Sequence, residues 1–354
     1  MIHSKGDSVS FNLYVDNIFE SNISNMFIHK TAKAQFNSAF AQDVSEGLKS
    51  SKKKIKPIYL YDEIGSSLFE KICLQKEYYL TQIERIILKS SLHEISKIQN
   101  NHDICVLELG SGNSYKTKMV LKFFLSKQKT LYYFPIDVSD SILSSAIHML
   151  STDMPNLYIK GIASEYIEGI VKVRDFIYSK KHVPNKKLLL FLGSSIGNFE
   201  PDEAINFLRI IRNTMDRQDI LLIGFDLQKN TKTIESAYND KAGITAKFNL
   251  NLLERINREL GGEFNIADFE HLAFYNKNKD RIEMHIVSKI NQQVTIRDIN
   301  ETISFKQKET IHTENSYKYT LKQISIIAKN SNFKIKKNFT DEKKWYDLAL
   351  LTPI

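Results

Sequence analysis

The stretch Leu107-Glu-Leu-Gly-Ser-Gly-Asn113 decides the fold, because it places a glycine turn directly after an apolar run that starts at residue 104. Glycine lets the backbone of such a turn approach a ligand closely. In an open α/β sheet, ligands bind beyond the carboxyl ends of the parallel strands, where this turn would lie. Tyr115 replaces the third glycine of the GxGxxG dinucleotide fingerprint, and the Lys-Ser/Thr pair of a phosphate-binding P-loop is missing. The segment therefore favours a ligand other than a nicotinamide dinucleotide.

Two acidic residues near the turn narrow the ligand class. Glu108 stands two residues before the first glycine of the turn, a pattern typical of S-adenosylmethionine (SAM) methyltransferases. Asp137 ends the next apolar run and stands where a carboxylate can accept hydrogen bonds from both hydroxyls of a ribose. Together the two acids favour a SAM-dependent methyltransferase.

Apolar runs alternate with helical segments between residues 104 and 228. Near-continuous apolar strands of this kind are typical of a parallel sheet that helices cover on both faces, which indicates an α/β fold. Strands are predicted at 104–109, 130–136, 157–163, 187–192 and 219–225, and helices include 116–126 and 201–215.

The alternation stops after residue 228, where the pattern indicates an α+β insert. The polar turn Asn276-Lys-Asn-Lys-Asp280 between two apolar runs is a hairpin signal. The sequence thus predicts a sheet domain that the insert interrupts and the C-terminal segment completes. Predicted elements are helices at 34–48, 65–72, 77–98, 248–260 and 321–329, a hairpin of 269–275 with 281–290, extended segments at 294–299 and 303–310, and strands at 333–339 and 345–351.

Composition excludes several classes of protein. Of the 354 residues, 25% are charged and 42% are hydrophobic, as in globular domains and unlike disordered or collagen-like chains. The net charge of +8 is a reason to consider nucleic acid as a partner. However, the chain has no arginine-rich run, and half of the excess lies in residues 300–354, which hold ten lysines and six acidic residues. We therefore expect no nucleic-acid partner.

Cysteine usage and hydropathy indicate a cytoplasmic protein. Cys73 and Cys105 stand in apolar stretches without a CxxC motif, as expected for buried thiols in a reducing compartment. No stretch approaches about 18 consecutive apolar residues, and the N-terminus lacks the apolar segment of a signal peptide. No metal motif such as HExxH is present. We expect a cytoplasmic monomer without a membrane partner or a metal.

Further motifs follow one another in an order that is more specific than any one of them. These are Tyr61–Ile72, Glu77–Thr81 with Glu84, Leu107–Asn113, Phe134–Asp140, Phe191–Phe199, Asp226-Leu, Ala237–Asn249, Arg281–His285 and Thr313–Tyr319. Their order resembles that of the L-histidine Nα-methyltransferase family, which forms hercynine, the betaine of histidine, on the way to ergothioneine. The resemblance runs from about residue 34 to the end of the chain.

The resemblance implies a Rossmann-like, mostly parallel SAM-binding sheet domain and a second, α+β substrate-binding domain. Carried onto this chain, the sheet domain comprises residues 89–228 and 319–354. The substrate domain comprises residues 34–88 and 229–318, and residues 1–33 form an N-terminal extension. The implied SAM-binding residues are Gly110, Ser111, Gly112, Lys116, Asp137 and Gly193.

The resemblance also implies which residues bind L-histidine. Residues that match Asn198 and Tyr238 hold the α-carboxylate in the family, and those that match Glu314 and Ser316 face the imidazole. The residue that matches Met284 packs beside the imidazole ring. The complete implied set is Tyr61, Tyr78, Asn198, Tyr238, Met284, Glu314 and Ser316.

Tyr61 is the residue implied to be catalytic, and Tyr78 is implied to line the same cavity. Methyl transfer from a sulfonium is an in-line displacement, so the protein mainly aligns the donor with the amine. A tyrosine whose pKa is about 10 is a poor base at neutral pH. We therefore expect Tyr61 to orient the amine rather than to take its proton.

Each of these residues also has an ordinary structural explanation. In that explanation Tyr61 and Tyr78 are half-buried structural tyrosines, Asn198 is a turn residue, and Met284 is a core side chain. Two other functions stay open: methylation of a different amino acid, such as tryptophan or tyrosine, and methylation or binding of nucleic acid. Glu314 argues for histidine, because a bulkier apolar ring has no use for an acid.

Overall fold

The computed structural model describes residues 19–20, 26–30, 33–98 and 102–354. Most of the predicted N-terminal extension, residues 1–33, lies outside the described residues. Its two described stretches are short strands, and the second pairs with a central-sheet strand through contacts such as Met26 with Ile159. These stretches of the extension are therefore part of the sheet.

The described chain contains a large sheet, two small sheets and helices packed on them. The strands are β1 (Phe19–Glu20), β2 (Met26–Lys30), β3 (Cys105–Leu109), β4 (Leu131–Asp137), β5 (Leu157–Ala163), β6 (Lys187–Phe191), β7 (Ile220–Asp226), β8 (Phe269–Asn276), β9 (Arg281–Ser288), β10 (Gln292–Ile296), β11 (Glu301–Phe305), β12 (Thr310–Tyr317), β13 (Phe333–Thr340) and β14 (Tyr346–Pro353). The α-helices are α1 (Lys33–Lys49), α2 (Glu63–Cys73), α3 (Tyr79–Ile98), α4 (Thr117–Leu125), α5 (Asp140–Asp153), α6 (Tyr166–Ser179), α7 (Pro201–Asn213), α8 (Thr231–Tyr238), α9 (Ile244–Leu260) and α10 (Leu321–Asn330).

The nine-stranded sheet confirms the predicted mostly parallel architecture. Its order is β1-β2-β5-β4-β3-β6-β7-β14-β13, and the strands from β2 to β7 run parallel. Alternate residues of β3 enter two separate cores, with Val106 on one face of the sheet and Leu107 on the other. The strand order reverses at β3, so a crevice opens where β3 and β6 end, and this is the usual ligand site of such sheets.

The insert forms a three-stranded antiparallel sheet, ordered β12-β9-β8, and a separate ribbon of β10 and β11. Helix α9 packs on β8 and β9, and it also packs on α2 from the N-terminal part of the chain. This contact joins the two chain segments assigned to the predicted substrate domain. The predicted boundary at residue 88 falls inside α3, which packs on β13 and β14 of the large sheet. The domain division stays a prediction.

A β-bulge in β12 decides which side chains face the interior of the insert. The register with β9 shifts between His312 and Glu314, which leaves Thr313 as the extra residue. As a result, His312 and Asn315 lie on the same face and hydrogen-bond at 2.8 Å, whereas a regular strand would place them on opposite faces. Glu314 and Ser316 then share the opposite face.

Two further features differ from or extend the predicted elements. Helix α8 was not predicted, and the predicted extended segment 303–310 divides at Lys308, whose φ of 69° marks a turn between β11 and β12. Both cysteines are free thiols. Within the described ranges, no helix is long and apolar enough to cross a membrane.

Asp347 on β14 is a fully buried carboxyl group, and within the described chain neither of its oxygens has a hydrogen-bond partner. Burial raises the pKa of Asp347 to about 7. The folded state therefore retains a proton that the unfolded state releases above about pH 4. Stability should fall as pH rises towards 7, by up to about 4 kcal/mol from this group alone.

We expect Asp347→Asn to raise the melting temperature at pH 8 relative to the parent protein, and to have a smaller effect at pH 5. Thermal unfolding of both proteins at the two pH values measures the difference. The exposed Asp298→Asn is the matched control. A melting-temperature difference that is equal at both pH values would contradict this account of Asp347.

Candidate active site

The glycine turn after β3 has the backbone conformation that its sequence predicts. Gly110 and Gly112 have φ values of 67° and 49°, in the left-handed region that favours glycine. The backbone N–H groups of Gly110 and Ser111 donate to the carbonyl of Ile136 at 2.9 and 3.2 Å, which ties the turn to the end of β4. A Cβ atom on Gly112 would meet nothing within 4 Å, so the turn is open on that side.

Asp137 lies beside this turn at the carboxyl end of β4. Its Oδ2 accepts the backbone N–H of Gly112 at 2.8 Å, and its Oδ1 accepts that of Ser139 at 3.0 Å. Burial raises the pKa of the Asp137 carboxyl above its ordinary value, while these N–H groups oppose the shift. The carboxylate is thus fixed in orientation and keeps further lone pairs for a ligand.

The turn also fits a ligand that carries hydroxyl or amine groups. Ser111 Oγ is buried, and within the described chain it has no hydrogen-bond partner. Such a group needs a partner, since leaving it unpaired costs about 1–3 kcal/mol. Ser111, the open Gly112 and the fixed Asp137 therefore form a cradle that suits the ribose and amino-acid parts of SAM.

Glu108, the acid that the sequence pattern singled out, has a structural role. Thr117 Oγ1 and the Tyr133 hydroxyl both donate to its buried carboxylate. Burial raises the pKa of Glu108 to about 7, although both hydrogen bonds oppose the shift. Both of its oxygens accept hydrogen bonds within the protein, so Glu108 links the start of α4 to β4.

Glu84 joins two of the predicted SAM residues, Lys116 and Gly193. The fully buried Glu84 carboxylate accepts from Lys116 Nζ, from the Gly193 N–H at 2.7 Å and from the Tyr346 hydroxyl at 2.6 Å. Burial lowers the pKa of Lys116, but Glu84 outweighs burial and raises it above its ordinary value. Lys116 is therefore a positively charged group near the carboxyl ends of β3 and β6, where the glycine turn also lies.

A second cluster lies on the inward face of the insert and contains Tyr238 and Ser316. The Tyr238 hydroxyl donates to Ser316 Oγ at 2.7 Å. Lys318 Nζ donates to Tyr238 at 3.0 Å, to Ser316 at 2.8 Å, and pairs with Asp226 at 2.9 Å. Two of the predicted substrate residues thus accept hydrogen bonds from the same buried lysine.

Glu314 is a buried carboxylate with an unused acceptor. The Tyr61 side chain lies near this carboxylate, whose Oε2 has no hydrogen-bond partner in the described chain. Burial raises the pKa of Glu314 to about 7, although Lys318 and Tyr61 lower it. An unpaired oxygen on a buried carboxylate is a strong site for an N–H donor.

Aromatic rings surround Tyr61 and Tyr78. The Tyr61 ring makes edge contacts with Phe69 and Phe248 at centroid distances of 5.5 and 5.4 Å. Tyr78 contacts Phe69 at 6.1 Å and Tyr238 at 6.3 Å. The two predicted tyrosines therefore belong to one aromatic group that reaches the Tyr238 and Ser316 cluster.

Two predicted substrate residues have weaker links to this group. Met284 lies directly across from Glu314 on β9, but it is only 1% exposed and belongs to the apolar core. Asn198 ends the 3-10 turn Ser195–Asn198, and its side chain has no hydrogen-bond partner in the described part of the chain. A Cβ atom on Gly197 would lie 3.1 Å from the backbone of Tyr317, so this turn packs on β12.

The two clusters adjoin each other. Burial, then Glu314 and Tyr166, raise the pKa of Tyr61 well above its ordinary value. The Tyr166 hydroxyl in turn lies 3.1 Å from the position of a Cβ atom on Gly110. Tyr166 thus lies near both the glycine turn and Tyr61, so the predicted cofactor and substrate residues are neighbours.

Several residues in these clusters were missed as site residues from the sequence. Tyr166 was not singled out, and Lys318, Asp226 and Glu84 were noted only as parts of motifs. The one available signal was position: Lys318 follows Ser316 by two residues, and Asp226 ends a predicted strand. Their roles depend on contacts between distant parts of the chain.

Comparisons with known proteins agree on one family. Residues 40–353 match the family described as histidine-specific methyltransferase, SAM-dependent. The chain is 35% identical over 281 residues to a histidine N-alpha-methyltransferase of Mycolicibacterium smegmatis, covering 79% of this chain and 84% of that protein. It is 31% identical to a histidine N-alpha-methyltransferase of Mycobacterium tuberculosis, covering 88% and 94%. It is also 30% identical to ergothioneine biosynthesis protein 1 of Schizosaccharomyces pombe, covering 83% of this chain and 38% of that protein.

Proposed function

The chain belongs to the family of histidine-specific, SAM-dependent methyltransferases, and we propose that it methylates the α-amino nitrogen of L-histidine three times to form hercynine. The observation that carries this proposal is the unpaired Oε2 of Glu314, a buried acceptor on the same face of β12 as Ser316. A neutral imidazole presents one N–H donor and one nitrogen acceptor. Glu314 would accept the N–H, and Ser316 would donate to the other nitrogen.

The cofactor side requires residues that hold SAM and align it. SAM supplies a methyl group on a sulfonium, which is already activated for displacement. Asp137 would bind the ribose hydroxyls, and Gly110, Ser111 and Gly112 would line the bound molecule. Lys116, held beside Gly193 by Glu84, would attract its carboxylate. Positioning is the main contribution of these residues.

Tyr61 would position the amine. Its raised pKa keeps the phenol protonated at neutral pH, so it does not serve as a base. The protonated hydroxyl near Glu314 would use its oxygen to accept an N–H of the substrate amine. Tyr238 and Asn198 would hold the α-carboxylate, and Met284 would pack beside the ring.

Successive methylations end in a fixed positive charge on nitrogen. Aromatic faces stabilise a quaternary ammonium by about 0.5–2 kcal/mol each. Tyr61, Tyr78, Phe69 and Phe248 form such an aromatic group beside Glu314. This group would let the nitrogen gain methyl groups without losing its binding.

Mass spectrometry of the protein with SAM and L-histidine tests the proposal. We expect products that carry one, two and three additional methyl groups. Tryptophan, tyrosine and tRNA serve as competing substrates, and we expect methylation of none of them to match that of histidine. Efficient methylation of tryptophan or tyrosine with inactivity on histidine would overturn the proposal in favour of another amino-acid substrate. Preferred methylation of tRNA would overturn the expectation that nucleic acid is not a partner.

A further inference from the structure

Lys318 is a buried cation whose three donors are all used. The side chain is fully buried. Its ammonium group contacts Asp226 Oδ2 at 2.9 Å, the Tyr238 hydroxyl at 3.0 Å and Ser316 Oγ at 2.8 Å. A lysine ammonium carries three N–H donors and no acceptor. Each of these three oxygens therefore acts as an acceptor towards Lys318.

This arrangement determines which way the two hydroxyl protons point. Because the oxygens of Tyr238 and Ser316 accept from Lys318, their own protons are free for other acceptors. In the structure Tyr238 gives its proton to Ser316, and the Ser316 proton remains for a further acceptor. Lys318 thus leaves the Ser316 hydroxyl as a donor to whatever occupies the site, and a stronger acceptor beside Tyr238 would take the Tyr238 proton in place of Ser316.

Lys318 belongs to a network of buried charges that reaches the site. One carboxylate, Asp226, faces two buried ammonium groups, Lys318 and Lys229. Burial raises the pKa of Asp226, but the two lysines outweigh it and hold the pKa below its ordinary value. Lys229 interacts in addition with Asp341, whereas Lys318 interacts with Glu314, the acid that faces the site. A carboxylate next to the Tyr238 hydroxyl would therefore meet a donor polarised by a nearby cation.

We propose that Lys318 is a positioning and specificity-determining residue: it holds the Tyr238 and Ser316 hydroxyls as donors, and thereby selects substrates with a free α-carboxylate. This inference rests on the proposed function and adds a residue to it that touches only the protein. An amino acid whose carboxylate is replaced by a neutral amide would lose both the charge and part of the hydrogen bonding at Tyr238.

The test compares L-histidine with L-histidinamide in the parent protein and in Lys318→Met. Binding of each compound is measured by calorimetry, and kcat and KM are measured for methylation. We expect the parent protein to prefer histidine by at least about tenfold, as the loss of a charged hydrogen bond implies. In Lys318→Met this preference should fall by about tenfold, with KM for histidine rising more than kcat falls and SAM affinity unchanged.

Lys229→Met is the matched control. Lys229 is also buried and also pairs with Asp226, but its contacts are with Asp226 and Tyr79 rather than with Tyr238 or Ser316. We expect Lys229→Met to keep the preference for histidine over histidinamide. Lys318→Gln provides a second variant in case Lys318→Met does not fold: it removes the positive charge that polarises the Tyr238 hydroxyl, so its preference for histidine should fall as well.

The outcomes separate this inference from the proposed function. A parent protein that methylates histidine but binds histidinamide equally well overturns the inference alone. An unchanged preference in folded Lys318→Met or Lys318→Gln also overturns it, as does an equal loss of preference in Lys229→Met, which indicates a general structural effect. A parent protein that is inactive on histidine overturns the proposed function itself.

Discussion

Replacing Glu314 with alanine is expected to lower kcat/KM for L-histidine by about ten- to 150-fold, while SAM affinity stays unchanged. A hydrogen bond to a charged group contributes about 1.5–3 kcal/mol, which corresponds to this range. The imidazole N–H would be left without its acceptor in a buried site, where the carboxylate is only 7% exposed. The variant also removes the carboxylate near the Tyr61 hydroxyl, which loosens the group that positions the amine.

Two variants make the Glu314 result specific. Glu314→Gln keeps the shape and one carbonyl acceptor but removes the charge, so its loss should be smaller than that of alanine. Glu301→Ala removes a surface carboxylate of the insert that pairs with Lys49 and should leave kcat/KM unchanged. Steady-state kinetics with histidine and calorimetry with SAM provide the two readouts. Unchanged histidine methylation in Glu314→Ala would remove Glu314 from the substrate site.

Replacing Asp137 with alanine is expected to weaken SAM binding by about ten- to 150-fold, and to leave histidine binding measured without SAM unchanged. The ribose hydroxyls of SAM would lose the carboxylate that accepts their hydrogen bonds. The backbone N–H groups of Gly112 and Ser139 would also lose their acceptor, so the glycine turn would lose its anchor at the end of β4. Both effects act on the cofactor side.

Asp153→Ala is the control for Asp137, because Asp153 lies at the opposite end of α5 and pairs with Lys118 at the surface. Asp137→Asn keeps one acceptor and should bind SAM with intermediate affinity. Calorimetric titration with SAM measures each variant. If Asp137→Ala binds SAM as tightly as the parent protein, the ribose contact assigned to Asp137 is wrong.

The fold follows from local patterns to a large extent. Apolar runs long enough for buried strands, with glycine or acid at their ends, predicted β3 to β7 within one residue at each end. The hairpin of β8 and β9 followed from its polar turn in the same way. Such patterns work because strand burial and turn conformation depend on side chains that are near one another in the sequence.

The SAM-binding and substrate-binding residues were predicted from the order of motifs, and most of them meet in the structure. Tyr61 lies near Glu314, Tyr238 contacts Ser316, and Gly112 contacts Asp137. Their individual roles stay predictions until the variants are measured. Glu108 and Glu84 illustrate the limit of motif reasoning. The Glu108 carboxylate accepts hydrogen bonds from Thr117 and Tyr133 within the protein, and the Glu84 carboxylate, on the distant helix α3, pairs with Lys116.

The sequence by itself determined the family and the parallel sheet with its glycine turn, and it predicted the residues that would line the site. Only the tertiary structure decided three things: the shared inward face of Glu314 and Ser316 after the Thr313 bulge, the buried lysine that contacts Tyr238 and Ser316, and the carboxylate that anchors Lys116. The physical reason is that strand period and turn chemistry are local. Hydrogen-bond satisfaction of buried charges instead pairs groups that the chain brings together from far apart.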